Sequence, residues 1–226
     1  MARIEGRPLP STRKPAAPSD PRSVPLNLRV RALVSRVLPR GRRLPDEVWA
    51  ERHVGLAILL WVQAAALFGF ALYRDYSLGH AVEAAAPIVG CATVAVAHRL
   101  SRRLRSAAVA VGLVVGCSIL VDLAGGAIEA HFSYFVVIAF LTLYQEWLPY
   151  LIAITFVLLE HGIVGVLAPS AVYHHPVMAG MVGMDQDPWK WAFIHAGFVL
   201  AASFANLLAW RLTEQEALHD LSLIHI

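Results

Sequence analysis

The chain has 226 residues, of which 58% are hydrophobic and 15% are charged, and its formal net charge is +3. So little charge is unusual for a water-soluble domain, and the basic residues are spread along the chain rather than gathered in one stripe, which argues against a nucleic-acid partner. The two cysteines, Cys91 and Cys117, show no metal or redox spacing, so they predict close helix packing and indicate no redox compartment.

The first 50 residues contain no apolar run long enough for a cleavable signal peptide. Residues 1–26 hold six prolines and scattered charges, a composition that predicts a disordered cytoplasmic tail. Residues 27–43 place leucine, valine and arginine so that a short basic amphipathic helix could lie on an anionic leaflet, and a solvated linker explains them equally well. We therefore treat 1–43 as a tail and expect the first span to direct membrane insertion.

Residues 44–211 alternate long apolar stretches with short polar breaks. About 20 apolar residues cross the ~30 Å hydrocarbon core of a bilayer, so the stretches predict membrane-spanning helices. They lie at residues 54–73, 80–98, 106–125, 127–144, 147–167 and 191–210. The predicted fold class is all-α, a polytopic membrane helix bundle with about six transmembrane helices.

The arginines predict the orientation of these spans. Twelve Lys or Arg residues precede the first span, four more follow the second span, and Arg211 follows the sixth, whereas the opposite side has Arg74 and Lys190. The positive-inside rule then places both termini in the cytoplasm of a multi-pass protein, which we expect in a bacterial inner membrane. The pair Gly125-Gly126 predicts a tight turn between the third and fourth spans, and the long loop 168–190 is predicted to lie outside.

Ionisable side chains inside the spans gather toward the predicted outer side. Such groups are costly in a bilayer and usually face the bundle interior, so each is a functional candidate. They are Glu83, Asp122, Glu129, His131, Glu160, His161 and His195. His131, His161 and His195 share one predicted depth, about 6 to 9 Å below the outer boundary at ~1.5 Å per residue.

Imidazole is the commonest metal ligand, and carboxylates beside it can ligate or orient the ring. The predicted cofactor-binding residues are His131, His161 and His195, and the predicted ligand is a transition metal (Cu, Fe or Zn), haem or another small ligand. The predicted metal-ligating set adds two carboxylates and two loop residues: Glu129, Glu160, His174 and His175. Interhelical hydrogen bonding explains any single intramembrane histidine as well.

Several other polar residues have simpler explanations. Glu83 is close enough to the predicted boundary to be interfacial, and Asp122 could cap the following turn. Exposure at the span ends would explain three further histidines, His53, His80 and His98. His219 lies in the predicted cytoplasmic tail. Nucleophilic triads, phosphate-binding loops and HExxH spacing are absent from the sequence, so no catalytic residue is predicted and this segment is not expected to be an enzyme.

The C-terminal end predicts a helix that continues past the membrane. Residues 212–220 have spaced leucine and alanine among acidic positions, which is typical of the start of a cytoplasmic signalling helix. Such a helix favours a homodimer through the sixth span and a cytoplasmic output domain that this chain lacks. Residues 221–226, LSLIHI, can be encoded by DNA that resembles a transposon end used in sequencing libraries, so we expect an artefact there, with a natural hydrophobic tail as the alternative.

The run GGAIEAHFSYFVVIAFLTLYQEWLPYLIAITFVLLEHGIVGVLAPSAVYHH, followed by PWKWAFIHAGFVLAASFANLLAWRLTEQE, resembles the N-terminal membrane sensor region of bacterial signalling proteins. In such proteins this region precedes diguanylate cyclase, histidine kinase or chemoreceptor output modules. The resemblance covers residues 50–217 and implies a sensory input module. The sequence Glu160-His161-Gly162 departs from the two adjacent histidines that the family favours, so one ligand could be lost or could be replaced by Glu160.

Two other functions are compatible with the sequence. A haem- or metal-containing electron-transfer protein of the cytochrome b kind would also hold its cofactor between intramembrane histidines. A small transporter would explain six spans with buried carboxylates, but the inner halves of the spans are almost free of ionisable groups, and a carrier needs a polar path across the midplane. The asymmetry favours the sensory input module.

Overall fold

The computed structural model describes residues 25–29, 38–41, 43–164, 167 and 188–224, and within them the side chains of 164, 188–192, 195, 196 and 217–224 are not described. Six long helices and a short helical stretch at residues 26–29 are present in these ranges, and the described residues contain no strand. The six long helices are α1 (Asp46–Tyr73), α2 (Leu78–Val96), α3 (Arg102–Leu123), α4 (Ile128–Leu141), α5 (Trp147–Leu159) and α6 (Pro188–Ile224). The all-α prediction is confirmed for this part of the chain.

Three of the helices, α1 to α3, are long and apolar enough to cross a membrane. The apolar segments Ile128–Tyr144 and Trp147–Ile163 are shorter than the ~20 residues that a perpendicular span needs. Each predicted span overlaps one of the six helices. The number of membrane crossings and the orientation of the termini stay predictions.

Residues 1–36 and 37–226 form two separate compact units. The described part of the first unit is residues 25–29, where the N–H groups of Leu28 and Arg29 donate to the carbonyl of Pro25 at 3.0 and 3.1 Å. The predicted disordered tail lies almost wholly outside the described residues, and so does most of the predicted amphipathic helix over 27–43.

The helix boundaries follow from local capping. Ser77 and Ser101 accept backbone N–H groups at the starts of α2 and α3, which satisfies donors that have no partner within the helix. Between α3 and α4, Gly125 and Gly126 have positive φ angles of 68° and 75°, and the N–H of Gly126 donates to the carbonyl of Val121 at 2.9 Å. This turn confirms the predicted glycine connection, because a left-handed backbone favours glycine.

The core of the bundle lies between α1, α2 and α3, which pack through small side chains. A Cβ atom added at Gly116 would lie 2.5 Å from the amide of Gln63, and one added at Gly112 would lie 2.7 Å from Cβ of Cys91. Such close approach is typical of helices that pack without a hydrophobic driving force in lipid. Cys117 is fully buried and both cysteines are free, in agreement with a packing role.

Two short irregular turns follow α4 and α5. A 3₁₀ turn, Thr142–Tyr144, follows α4 and leads to Gln145, whose φ is +50°. A π-helical turn, Glu160–Val164, follows α5 directly. Single π turns are rare and occur often at functional sites, so this one draws attention to the residues it carries.

Candidate functional site

Five polar side chains from three helices meet near the glycine connection between α3 and α4. We call them the His-Glu cluster: Ser118, His131, Tyr134, Glu160 and His161. Ser118 is on α3, His131 and Tyr134 are one turn apart on α4, and Glu160 and His161 begin the π turn after α5. The cluster brings together three of the residues that the sequence predicts, His131, Glu160 and His161.

The two imidazoles contact each other in the interior. The ring centroids of His131 and His161 are 5.4 Å apart at an interplanar angle of 69°, and the residues are 2% and 6% exposed. The antiparallel arrangement of α4 and α5 brings these two histidines together, and their depth in a membrane stays a prediction. The ring of Tyr134 also meets that of His161 edge to face at 5.3 Å.

The backbone fixes the tautomer of both rings. Nδ1 of His131 lies 3.0 Å from the carbonyl of Ala127, and Nδ1 of His161 lies 3.0 Å from the carbonyl of Val157. A carbonyl oxygen only accepts, so Nδ1 carries the proton in each ring. Nε2 of each neutral imidazole is then the acceptor nitrogen, which is the form in which histidine ligates a metal while a carbonyl holds the other nitrogen.

The carboxylate of Glu160 holds the cluster together. The hydroxyls of Ser118 and Tyr134 each donate to one of its oxygens, and one of these oxygens lies 3.8 Å from Nδ1 of His161. The Glu160 side chain is 14% exposed. A carboxylate this far from water needs such donors, because burying a charge without hydrogen bonds is costly.

The remaining predicted ligands do not join this cluster within the described residues. Glu129 is exposed, although it starts the same helix as His131. The His195 side chain and both loop residues, His174 and His175, lie outside the described residues. Over the part of the chain that the structure describes, no group of three or more His, Cys, Asp or Glu side chains is placed to hold a metal ion.

The other intramembrane carboxylates lie at the surface. Glu83 is 81% exposed in its side chain and reaches His80 at 3.9 Å, which agrees with an interfacial position. Asp122 is also exposed, and its backbone carbonyl, rather than its carboxylate, accepts the N–H of Gly125 at 2.9 Å. These two residues are therefore separate from the His-Glu cluster.

A second polar cluster, at the opposite end of the bundle, was not predicted. We call this end the basic end, because the arginines that precede α3 and begin it lie there. His53 is 1% exposed, and its Nδ1 and Nε2 lie 2.7 Å from the hydroxyl of Tyr144 and 3.0 Å from the carbonyl of Ala95. The expectation that exposure explains His53 is wrong, because three helices enclose its ring.

Aromatic and basic side chains surround His53. The indole of Trp49 stacks on the His53 ring at 4.4 Å and donates to the hydroxyl of Ser106 at 3.1 Å. The guanidinium groups of Arg102 and Arg105 each lie 5.0 Å from the centre of the Trp49 ring. Trp49 and Tyr144 are 5% and 0% exposed, so both lie inside the bundle.

At the basic end, Glu214 of α6 also contacts the segment before α1. One carboxylate oxygen of Glu214 accepts the N–H of Arg40 at 2.8 Å, and the other accepts the N–H of Gly41 at 2.9 Å. Gly41 has a φ of +69°, and a Cβ atom there would lie 2.5 Å from the indole of Trp147, whose ring also contacts that of Trp210 at 5.2 Å. We call this contact between the segment before α1 and the end of α6 the Glu214 clasp.

Comparison with known proteins gives one informative similarity. The chain is 29% identical over 189 residues to Transducer protein Htr8 of Halobacterium salinarum. The match covers 78% of this chain and 28% of that protein, so the chain spans little more than a quarter of the relative. No family model matches the chain, and no solved structure matches it. The similarity is distant, and it relates most of this chain to part of a transducer protein.

Proposed function

We propose that this chain is the membrane-embedded sensory input module of a signal-transduction protein, and that the His-Glu cluster binds its ligand. The observation that carries the proposal is the contact between the buried rings of His131 and His161, beside the partly buried carboxylate of Glu160, which lies 3.8 Å from Nδ1 of His161 and accepts a hydrogen bond from Ser118 on a third helix. Titratable groups in such a position are costly to keep, which favours a functional explanation over a purely structural one. The similarity to a transducer protein supports the sensory assignment.

The proposed ligand is a transition metal (Cu, Fe or Zn) or haem. His131 and His161 both present Nε2 as the acceptor nitrogen, and imidazole suits all of these ions. Glu160 would orient the site or ligate directly. His195, His174 and His175 are proposed to complete the ligand set, since two imidazoles leave positions open on any of these metals.

The proposed output leaves through α6, which runs from Pro188 to Ile224 and is the final helix of the chain. A ligand shifts a two-state equilibrium only if it binds the two states differently, so the shift must alter the His-Glu cluster and the position of α6 together. A homodimer through α6 would pass this change to a cytoplasmic output domain. The transducer relative is long enough to contain such a domain beyond the matched part.

Metal analysis of the purified protein tests the proposal. We expect wild-type protein to retain Cu, Fe or Zn in a fixed ratio to chain, and the His131→Ala/His161→Ala variant to lose it. His80→Ala is the matched control, because His80 is a partly exposed histidine outside the cluster. Adding His195→Ala to the double variant then shows whether α6 supplies a ligand.

Absorbance of the same samples distinguishes the two kinds of cofactor. A Soret band that disappears with the two histidines would assign haem and would favour an electron-transfer protein of the cytochrome b kind as the second candidate. Metal without a Soret band would assign a metal-binding sensor. Equal metal and haem content in the wild-type protein and the double variant would refute ligand binding by the His-Glu cluster.

A further inference from the structure

A cavity of about 600 Å³ opens at the basic end, away from the His-Glu cluster. Its walls come from the segment before α1, from the start of α3 and from the start of α5. The charged side chains in these walls are Arg43, Arg102, Arg103 and Glu146. Three of these four charged side chains are arginines.

The three arginines differ in exposure, since Arg102 is mostly buried and Arg43 and Arg103 are exposed. Arg102 is 11% exposed in its side chain and is committed to protein partners, with Glu146 at 2.6 Å and the carbonyl of Leu44 at 2.8 Å. This pairing neutralises Glu146, the carboxylate in the wall. Arg43 and Arg103 are exposed, so their guanidinium groups remain as the cationic surface of the cavity.

The helix dipole of α3 increases the positive potential of the cavity, and the ion pair of Arg43 reduces it only weakly. The first turn of α3 lines it and contains no acidic residue, so the positive end of the helix dipole faces the same space. Arg43 forms an ion pair with Asp46 at 3.3 Å, but both side chains are more than 70% exposed, and such pairs are weak enough to rearrange around a ligand. A phosphate group matches this surface, because guanidinium binds phosphate through two parallel hydrogen bonds.

An apolar surface continues from the cavity along α5. Leu148 lines the cavity and is 46% exposed, and Leu151, one turn further along α5, is 51% exposed. Trp147, whose indole also lines the cavity, is a residue type that favours the boundary between headgroups and acyl chains. A cationic pocket that opens onto exposed leucines fits a molecule with an anionic head and an apolar tail.

We propose that this cavity binds the phosphate headgroup of an anionic lipid. Arg43 and Arg103 would contact the phosphate, Trp147 would pack beside the glycerol backbone, and an acyl chain would lie along Leu148 and Leu151. On the predicted orientation the basic end faces the cytoplasmic leaflet, where anionic lipids and basic pockets between helices meet. The lipid would also touch the Glu214 clasp, because Gly41 and Trp147 belong to both structures.

Native mass spectrometry of the full chain in detergent tests this proposal by titration with phosphatidylglycerol and, separately, with phosphatidylcholine. Both lipids carry a phosphate, but the choline cation of phosphatidylcholine cancels its charge and is repelled by the two exposed arginines, so we expect one phosphatidylglycerol to bind at least about tenfold more tightly. Arg103→Gln should weaken phosphatidylglycerol binding by about tenfold, because it removes one charged hydrogen-bond partner of the phosphate. Arg103→Lys should weaken it less, because lysine keeps the charge and loses the planar fork.

The matched control is Arg99→Gln, which removes one charge from an exposed arginine at the same end that does not line the cavity. In about 0.15 M salt, where exposed charges are screened over ~8 Å, we expect at most about a twofold change. Equal weakening by Arg99→Gln and Arg103→Gln, or equal binding of the two lipids, would overturn the proposal. Displacement of phosphatidylglycerol by inorganic phosphate alone would instead assign the cavity to a soluble anion, which also contradicts a lipid site.

Discussion

The Glu214→Gln substitution is expected to open the Glu214 clasp. Both carboxylate oxygens accept a backbone N–H, from Arg40 and Gly41, and the residue is 3% exposed. Glutamine keeps one acceptor oxygen but turns an NH₂ group toward the second N–H, so one charge-assisted hydrogen bond is lost and two donors face each other. The cost is at least about 1.5 to 3 kcal/mol, the range for hydrogen bonds to charged groups, because the substitution also removes the negative charge 3.7 Å from the guanidinium of Arg211.

Amide hydrogen exchange measures this cost directly. When exchange proceeds through local opening, about 1.5 to 3 kcal/mol corresponds to roughly ten- to hundredfold faster exchange at Arg40 and Gly41. Glu216→Gln is the control, because Glu216 lies two residues further along α6 and is exposed. The reasoning fails if the Glu214 variant exchanges these two amides at the wild-type rate, or if the Glu216 variant accelerates them equally.

Three further substitutions follow from the packing, each measured by thermal unfolding in detergent. Tyr134→Phe removes a hydroxyl donor from the buried carboxylate of the His-Glu cluster and should cost about 1 to 3 kcal/mol, whereas Tyr73→Phe, at a residue 80% exposed, should change nothing. Gly116→Ala should cost about 1 to 3 kcal/mol through overpacking, while Gly90→Ala, with no atom within 4 Å of the new Cβ, should stabilise α2 by about 0.5 to 1 kcal/mol. His53→Ala should destabilise by about 2 kcal/mol or more, because it leaves a cavity and removes two buried hydrogen bonds. A wild-type melting temperature in any of the three destabilising variants would contradict the corresponding contact.

The helices were predictable from the sequence because apolar stretches and their polar breaks are local features. The helix boundaries were less predictable, since α1 begins at Asp46 whereas the first predicted span begins at residue 54. The extra turns of α1 place Trp49 and His53 inside the bundle, where α2, α3 and the 3₁₀ turn enclose them. An aromatic residue at the end of an apolar stretch is compatible with a position at the membrane boundary and with a position inside the bundle. Only tertiary packing distinguishes a membrane anchor from a buried residue.

The candidate site was predictable in part. Histidine and glutamate stand out in an apolar stretch, and the antiparallel order of α4 and α5 brings His131 and His161 to one depth. The hydroxyls of Ser118 and Tyr134 do not stand out, because serine and tyrosine are common in membrane helices and have many explanations. The one available signal for Tyr134 is its position three residues after His131 on the same helix face.

The Glu214 clasp could not be predicted, because Glu214 and its backbone donors are 173 and 174 positions apart in the chain. Nothing local in the sequence marks a carboxylate that accepts two distant amides. The same holds for the cavity, whose walls come from the segment before α1 and from the starts of α3 and α5. Only the arrangement of the helices brings these residues together.

Helix α5 connects the two ends of the bundle and sharpens the proposed route of the signal. It begins at Trp147, which contacts Gly41 and Trp210, and about 20 Å further along, at ~1.5 Å per residue, it leads into the π turn that carries Glu160 and His161. Between these points the hydroxyl of Tyr150 donates to the carbonyl of Ser203 on α6 at 3.0 Å.

A change in the His-Glu cluster therefore has a direct structural path to the last helix. A ligand that altered the spacing of the two imidazoles would act on the π turn, where one extra residue per turn allows a small change of register. Because α5 is helical from that turn back to Trp147, the change would reach the Tyr150 contact and then the residues on which the Glu214 clasp rests. In the proposed mechanism we expect α5 to move first. Helix α6 would then respond through its contacts with α5 rather than through direct contact with the ligand.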